Sequence, residues 1–315
     1  MADITPVRVL ADRITANAEK VIYGKGDKVR LILCALLCGG HILMDDIPGT
    51  GKTSLARALA RSIDCESRRV QFTPDLLPSD LTGISFYQQK TGEFVFRPGP
   101  IFTNIVIADE INRTTPRTQS ALLECMEERQ TTVDGVTYPM AEPFLVIATQ
   151  NPVESQGTFP LPEAQLDRFF MKLSLGYPDN ASEKEMIGNY LEKSPLASLT
   201  PVCRKEEILA ASAAVRRVKV SGAVQDYLVA IADATRHSDA VRLGVSPRGT
   251  LALTHAAQAW AALSGRDFVL PDDVKAVALP VLSHRIISRS QNTVRLVSSN
   301  ETILQNILDT VPAPI

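Results

Sequence analysis

The chain has 315 residues, 45% hydrophobic and 22% charged, with 33 Lys and Arg against 35 Asp and Glu for a formal net charge of −2. That length and composition suit a globular chain with ample core, organised as one large domain or two. The near balance of charge argues against a broad nucleic-acid surface, and the longest apolar run, about residues 31–40, is too short to span a bilayer.

Residues 5–20 pattern as an amphipathic helix and 27–37 as a more apolar one. Cys34 and Cys38 stand four apart on the second helix and are expected in the core, since free cysteine behaves as a small hydrophobe. The N-terminus lacks the basic and apolar regions of a signal peptide, so a cytoplasmic location is expected. An apolar strand, His41-Ile42-Leu43-Met44, then runs into Asp46-Ile47-Pro48-Gly49-Thr50-Gly51-Lys52-Thr53, and a helix follows from Ser54. This loop fits the phosphate-binding pattern G-x-x-x-x-G-K-[ST] except at the first position, where Asp46 replaces glycine. Glycines 49 and 51 let backbone N–H groups wrap an anion at close range, Lys52 can reach β- and γ-phosphates, and the Thr53 hydroxyl can ligate Mg²⁺. Aspartate tolerates a left-handed backbone better than most residues, which makes Asp46 a question of loop geometry.

Further along, 69–72 reads as a strand and 86–96 as a β-hairpin turning near Thr91-Gly92. The apolar strand 105–108 ends in Asp109-Glu110; a helix at 116–128 and a hairpin around Asp134-Gly135 come next. The strand 144–148 ends at Thr149-Gln150-Asn151. Strands apolar throughout suit a parallel sheet covered on both faces. From Ser182 onward only helices are expected, at roughly 182–192, 205–216, 222–236, 247–264 and 271–282, with Ser246-Pro247 capping one of them. The division is an α/β nucleotide-binding core at 1–178 and a helical lid at 179–315.

A phosphate loop alone would serve a kinase, a GTPase or an ATPase. The acidic pair narrows it. Asp109 at the end of a buried strand can hold Mg²⁺, and Glu110 can polarise an attacking water. Asn151, at the end of the next strand, can position that water without adding charge, although Asn151-Pro152 can also simply start a turn. Arg168 lies at a helix end and can reach out as an arginine finger, while Arg248 lies in a first helical turn of the lid, which could close over the phosphates. Arg113 and Arg117 can meet a neighbouring subunit or nearby carboxylates.

Together these residues resemble the AAA+ ATPases, and specifically the MoxR family. The segments carrying the resemblance are Ala108-Asp109-Glu110-Ile111-Asn112-Arg113, Thr118-Gln119-Ser120-Ala121-Leu122-Leu123-Glu124, Ala148-Thr149-Gln150-Asn151-Pro152, the run from Phe159 to Phe169, and Ser246-Pro247-Arg248. The resemblance spans about residues 10 to 290. It implies an AAA+ core, with a parallel sheet flanked by helices and bearing β-hairpin inserts, followed by a small all-α lid. It implies that residues 46–53 with Ser54, including Pro48, Gly49, Thr50, Gly51, Lys52 and Thr53, bind ATP. Thr53 and Asp109 would hold Mg²⁺, and Glu110 would be the catalytic carboxylate. Asn151 would be sensor 1, Arg168 a finger acting in trans, and Arg248 sensor 2 in the lid. Val21, Ile22 and Gly24 fall where the family lines its adenine pocket, with Lys25 in place of the usual glutamine. The two hairpins would face a central pore.

The activity so implied is Mg-dependent ATP hydrolysis in a homo-oligomeric ring, expected to be a hexamer, that remodels or matures another protein, including metal or cofactor insertion. The implied partners are a von Willebrand factor A domain protein and its client. Two other classes stay open: a nucleic-acid-stimulated motor, disfavoured by the charge balance, and a regulatory scaffold that binds nucleotide without turnover.

Overall fold

The computed structural model describes residues 4–46, 49–150, 157–192, 195–289 and 296–314. Helices α1 (Thr5–Glu19) and α2 (Gly26–Leu37) precede strand β1 (Ile42–Asp45) and helix α3 (Lys52–Ser62). Next come β2 (Ser67–Gln71), α4 (Pro78–Thr82), and the hairpin of β3 (Gly83–Gln88) and β4 (Glu93–Pro98). Strand β5 (Ile105–Asp109) leads through α5 (Pro116–Glu128) to a second hairpin, β6 (Gln130–Val133) and β7 (Val136–Pro139), then β8 (Leu145–Gln150), α6 (Glu163–Leu166) and β9 (Met171–Leu173). Helices α7 (Asn180–Glu192), α8 (Pro195–Ser198), α9 (Lys205–Val215) and α10 (Gly222–His237) follow. The remainder is β10 (Val241–Leu243), α11 (Pro247–Leu263), α12 (Pro271–Leu282), β11 (Ile287–Ser288) and α13 (Leu296–Thr310).

The central sheet has the order β2-β5-β8-β1-β9, and every pairing in it is parallel. Its apolar strands supply two cores at once. Ile42, Met44, Ile105, Ile107, Leu145 and Ile147 face one; Leu43, Val106, Ala108, Val146 and Ala148 face the other. Burial on both sides explains why these strands carry no polar alternation. The first core continues without a break through α1 and α2 into the helices after residue 200. The expected α/β core with hairpin inserts and a helical lid is therefore the architecture found.

Three features of the chain were not anticipated. Strand β9 has only three residues, too few for a periodic signal, yet it closes one edge of the sheet beside β1, where Lys172 Nζ meets Asp45 Oδ2 at 2.5 Å. The lid is not purely helical: β10 and β11 pair antiparallel, bringing segments some forty-five residues apart together. Helix α13 lies beyond the last helix expected from the sequence, at 271–282, and it buries Leu304 and Leu308 against α10 and α12.

One buried group predicts how stability depends on pH. The His41 ring is enclosed between β8 and α5: Nδ1 accepts from the Val146 N–H at 2.9 Å, so Nε2 carries the proton donated to the Met126 carbonyl at 3.0 Å. Burial, and then the nearby Arg129 guanidinium, push its pKa from 6.5 down to about 3. His284, which bonds the Phe169 carbonyl, is shifted the same way, first by burial and then by Arg285. A neutral histidine that cannot protonate in the fold gives full stability above its unfolded value near 6.5. That contribution falls as pH drops below it, by up to about 1.4 kcal/mol per unit for each such group. Urea midpoints should therefore fall steadily between pH 6.5 and 5, above the range where carboxylates titrate. A flat profile across that window would contradict the buried neutral assignment.

Candidate functional site

The carboxyl ends of β1, β5 and β8 meet at one edge of the sheet, beside the strand where the order reverses, which is where open α/β sheets bind ligands. A cavity of about 380 Å³ opens there, lined by loop residues Gly49, Gly51, Lys52, Thr53 and Ser54, strand-end residues Asp109, Glu110, Thr149 and Gln150, and Arg69 and Gln71 of β2.

The loop is shaped by its glycines. Gly49 and Gly51 have φ of +86° and +88°, a left-handed backbone that L side chains rarely adopt, and Gly51 directly caps α3. The N–H groups of that helix start, with its positive dipole end, suit a phosphate. Ile22 Cδ1 lies 3.6 Å from where a Cβ on Gly51 would sit, so the 21–24 segment touches the loop. Gly24 itself is left-handed and close to Ser182, while Lys25 Nζ donates to the Tyr177 carbonyl at 2.9 Å. Val21 is buried in the first core.

Asp46 does not act through a left-handed backbone; among the described residues the non-glycine positions with positive φ are Asp64, Glu110, Arg129 and Asp134. Its buried carboxylate instead accepts from Ser174 Oγ at 2.8 Å, Leu175 N–H at 2.5 Å and Gly176 N–H at 3.2 Å. Its carbonyl accepts from Lys52 Nζ at 2.8 Å. The unusual first residue of the loop thus ties the phosphate site to the chain segment that leaves β9 for the lid. A glycine could not do this.

On the opposing wall, Asp109 is buried and doubly bonded. Thr149 Oγ1 donates to its Oδ1 at 2.8 Å, and Thr53 Oγ1 donates to its Oδ2 at 3.3 Å. Two hard oxygens at that separation approximate the ~3 Å octahedral edge that Mg–O bonds of ~2.1 Å require, so Thr53 and Asp109 fit Mg²⁺. Among the described residues no group of three or more His, Cys, Asp or Glu could hold a metal ion, so phosphate oxygens and water would complete its shell.

Glu110 is held in a strained conformation, φ +58° and ψ +50°, by its N–H donating to Thr149 Oγ1 at 2.9 Å. Its carboxylate accepts from Gln71 Nε2 at 2.7 Å and pairs with Arg113 Nε at 3.1 Å. Pro48 and Asn151 lie outside the described residues.

Arg168 and Arg248 lie elsewhere. Both bind one carboxylate, Arg168 Nε to Glu127 Oε2 and Arg248 Nη1 to Glu127 Oε1, each at 3.1 Å, and both line a second cavity of about 340 Å³. That cavity also includes Gly40 and His41, which enter β1, and Phe170, which enters β9. The two arginines therefore sit at the amino edge of a parallel sheet whose carboxyl edge carries the phosphate loop. Four residues of β1 already separate those edges by about 13 Å at ~3.3 Å per residue. The lid helix bearing Arg248 consequently lies away from the 49–54 loop of its own chain.

Arg285, from the lid, builds the mount for this pair. Its side chain is 3% exposed, and it pairs with Asp167 Oδ1 at 2.7 Å while donating to the Phe169 and Phe170 carbonyls. Losing Asp167 would leave the buried guanidinium of Arg285 without its counter-ion. Arg69, Gln71, Glu127, Thr149 and Arg285 are the site residues that sequence reasoning missed. Only Thr149 lies within a quoted segment, and a polar residue in a strand, a glutamate in a helix or an arginine in a turn carries no local signal of its partners.

The chain matches the model of the ATPase family associated with various cellular activities (AAA) over residues 41–171, and that of the AAA lid domain over 233–307. It is 48% identical to the uncharacterized protein YeaC of Bacillus subtilis (strain 168), covering 97% of this chain and 95% of that one. It is 38% identical to Chaperone MoxR1 of Mycobacterium tuberculosis, over 96% and 82%, and 32% identical to Protein MoxR of Paracoccus denitrificans, over 95% of each. The crystal structure of a candidate ATPase from Cytophaga hutchinsonii superimposes with a TM-score of 0.90 at 38% identity, covering 99% and 97% of the two chains.

Proposed function

The chain belongs to the MoxR family of AAA+ ATPases, and from that premise we propose that it hydrolyses ATP with Mg²⁺ in a ring of identical subunits to remodel or mature other proteins. The observation that carries this reading is the meeting of loop 49–54 with Asp109, Glu110 and Thr149 in one cavity at the sheet's carboxyl edge. In this reading 1–178 is the nucleotide-binding core and 179–315 the lid.

The loop N–H groups and Lys52 bind the phosphate chain, and Thr53 and Asp109 hold the metal. Bound Mg²⁺ would neutralise and align the β- and γ-phosphate oxygens. Glu110 orients and polarises the attacking water, with Asn151 as a second contact to that water or to the γ-phosphate. Arg168 and Arg248 are one unit presented to the next subunit's nucleotide, because the sheet separates them from their own. Val21, Ile22 and Gly24 border the base.

Protein handling is supported by the β3–β4 hairpin, which exposes Ile84, Phe86, Tyr87 and Phe94, the last at 76%. Clustered exposed apolar side chains mark a contact surface. The partner in this reading is a von Willebrand factor A domain protein that presents a client, cofactor or metal insertion being one such maturation. Among the described residues no helix is long and apolar enough to cross a membrane. The test is ATP turnover with Mg²⁺, measured alone, with a co-encoded von Willebrand factor A domain protein, and with DNA. Stimulation by the protein is expected; stimulation by DNA alone would favour a nucleic-acid motor instead.

A further inference from the structure

The most unusual neighbour of the metal-binding carboxylate is a cation supplied by the chain itself. Arg69, on β2, places Nε 2.7 Å from Asp109 Oδ2, the same oxygen that faces Thr53 Oγ1. Its Nη2 donates to Gln71 Oε1 at 2.9 Å, and Gln71 Nε2 donates in turn to Glu110 Oε2 at 2.7 Å. The register explains the placement: Arg69 pairs with Ile107 and Gln71 with Asp109 across the β2–β5 ladder, so alternate β2 side chains lie along the cavity wall. Asp109 is 7% exposed, and its carboxylate would be costly to leave without a counter-ion. Arg69, half exposed at the cavity wall, supplies one and keeps room to swing away.

We propose that Arg69 is a positioning residue that occupies the metal-binding oxygen of Asp109 before Mg²⁺ arrives and must be displaced by it. The inference rests on the ATPase reading of the cavity. A guanidinium and a divalent cation compete for that oxygen: both are positive, and at contact distance their mutual repulsion weakens the hold of each. Metal entry is therefore an exchange of cations. The released guanidinium also gives up its bond to Gln71, which loosens the tether on Glu110, so the catalytic carboxylate is freed as the metal loads.

The test uses fluorescent ATP binding to the full chain, titrated with Mg²⁺ from a chelated start, for the wild type, Arg69→Gln and Arg69→Lys. Removing the competing charge in Arg69→Gln should lower the Mg²⁺ concentration for half-maximal tightening by about five- to thirty-fold, the range of a 1–2 kcal/mol difference. Arg69→Lys keeps a cation and should stay within about two-fold of the wild type. In an Asp109→Asn background, Arg69→Gln should have no effect, because the shared oxygen's charge is gone. Thermal midpoints in chelator identify any variant that fails to fold; should Arg69→Gln do so, Arg69→Met removes the same charge, is expected to give the same shift of about five- to thirty-fold, and carries the comparison. An unchanged or higher Mg²⁺ requirement in Arg69→Gln, or the same shift in the Asp109→Asn background, overturns the cation exchange and leaves the ATPase reading intact. A wild type that binds no ATP overturns both.

Discussion

Glu110→Gln should cut ATP turnover by about 10²–10⁴-fold while leaving nucleotide binding near the wild-type level, as read by single-turnover hydrolysis and equilibrium binding. The amide fills the same volume and can keep a contact with Arg113 or Gln71, so the loop and cavity persist. What it loses is the negative oxygen that polarises water. The strained backbone of Glu110 belongs to the same argument: Thr149 anchors its N–H, and Asp109 anchors Thr149, so the carboxylate is aimed from a fixed base rather than from a mobile loop. A scaffold that only binds nucleotide would show background hydrolysis in both forms. Unchanged turnover in the variant would remove Glu110 from the mechanism.

Arg168→Ala should lower turnover by about 10³-fold or more, the scale on which arginine fingers act, and the loss should be repairable by a neighbour. Subunits carrying Arg168→Ala keep Glu110; subunits carrying Glu110→Gln keep Arg168. Where the first kind presents its nucleotide to the second, a complete site forms, and mixed rings should recover part of the activity. Arg248→Ala makes the sharper comparison. If Arg248 served its own nucleotide, no neighbour could repair it; sitting with Arg168 on Glu127 at the far edge of the sheet, it should be repaired equally well. Mixed rings shown to form, yet without recovery, would reject the trans assignment of whichever arginine failed.

Much of this was readable in the sequence because local rules carried it. The glycine loop between a strand and a helix, the acidic pair after four apolar residues, and the Ser246-Pro247 cap are short-range patterns, and the elements around them fall within a few residues of expectation. The same shortness hid β9, β10 and β11, whose two or three residues hold no period and exist only because distant segments pair with them. Helix α13 follows the last helix expected from the sequence, and its Leu304 and Leu308 are buried against α10 and α12.

By itself the sequence determined the pattern: a glycine loop between a strand and a helix, an acidic pair at a strand end and two candidate arginines, all within the motifs of one family. Only the tertiary structure decided who faces whom. Asp46 proved to be a side-chain tether to the segment that leaves β9, Arg69 proved to be the ion-pair partner of Asp109, and Arg248 joined Arg168 on Glu127, across the sheet from the glycine loop. The reason is physical. Backbone propensity and glycine geometry act over a few residues and are written in order along the chain. Charge pairing and desolvation instead act between side chains that the fold brings together from segments far apart in the chain.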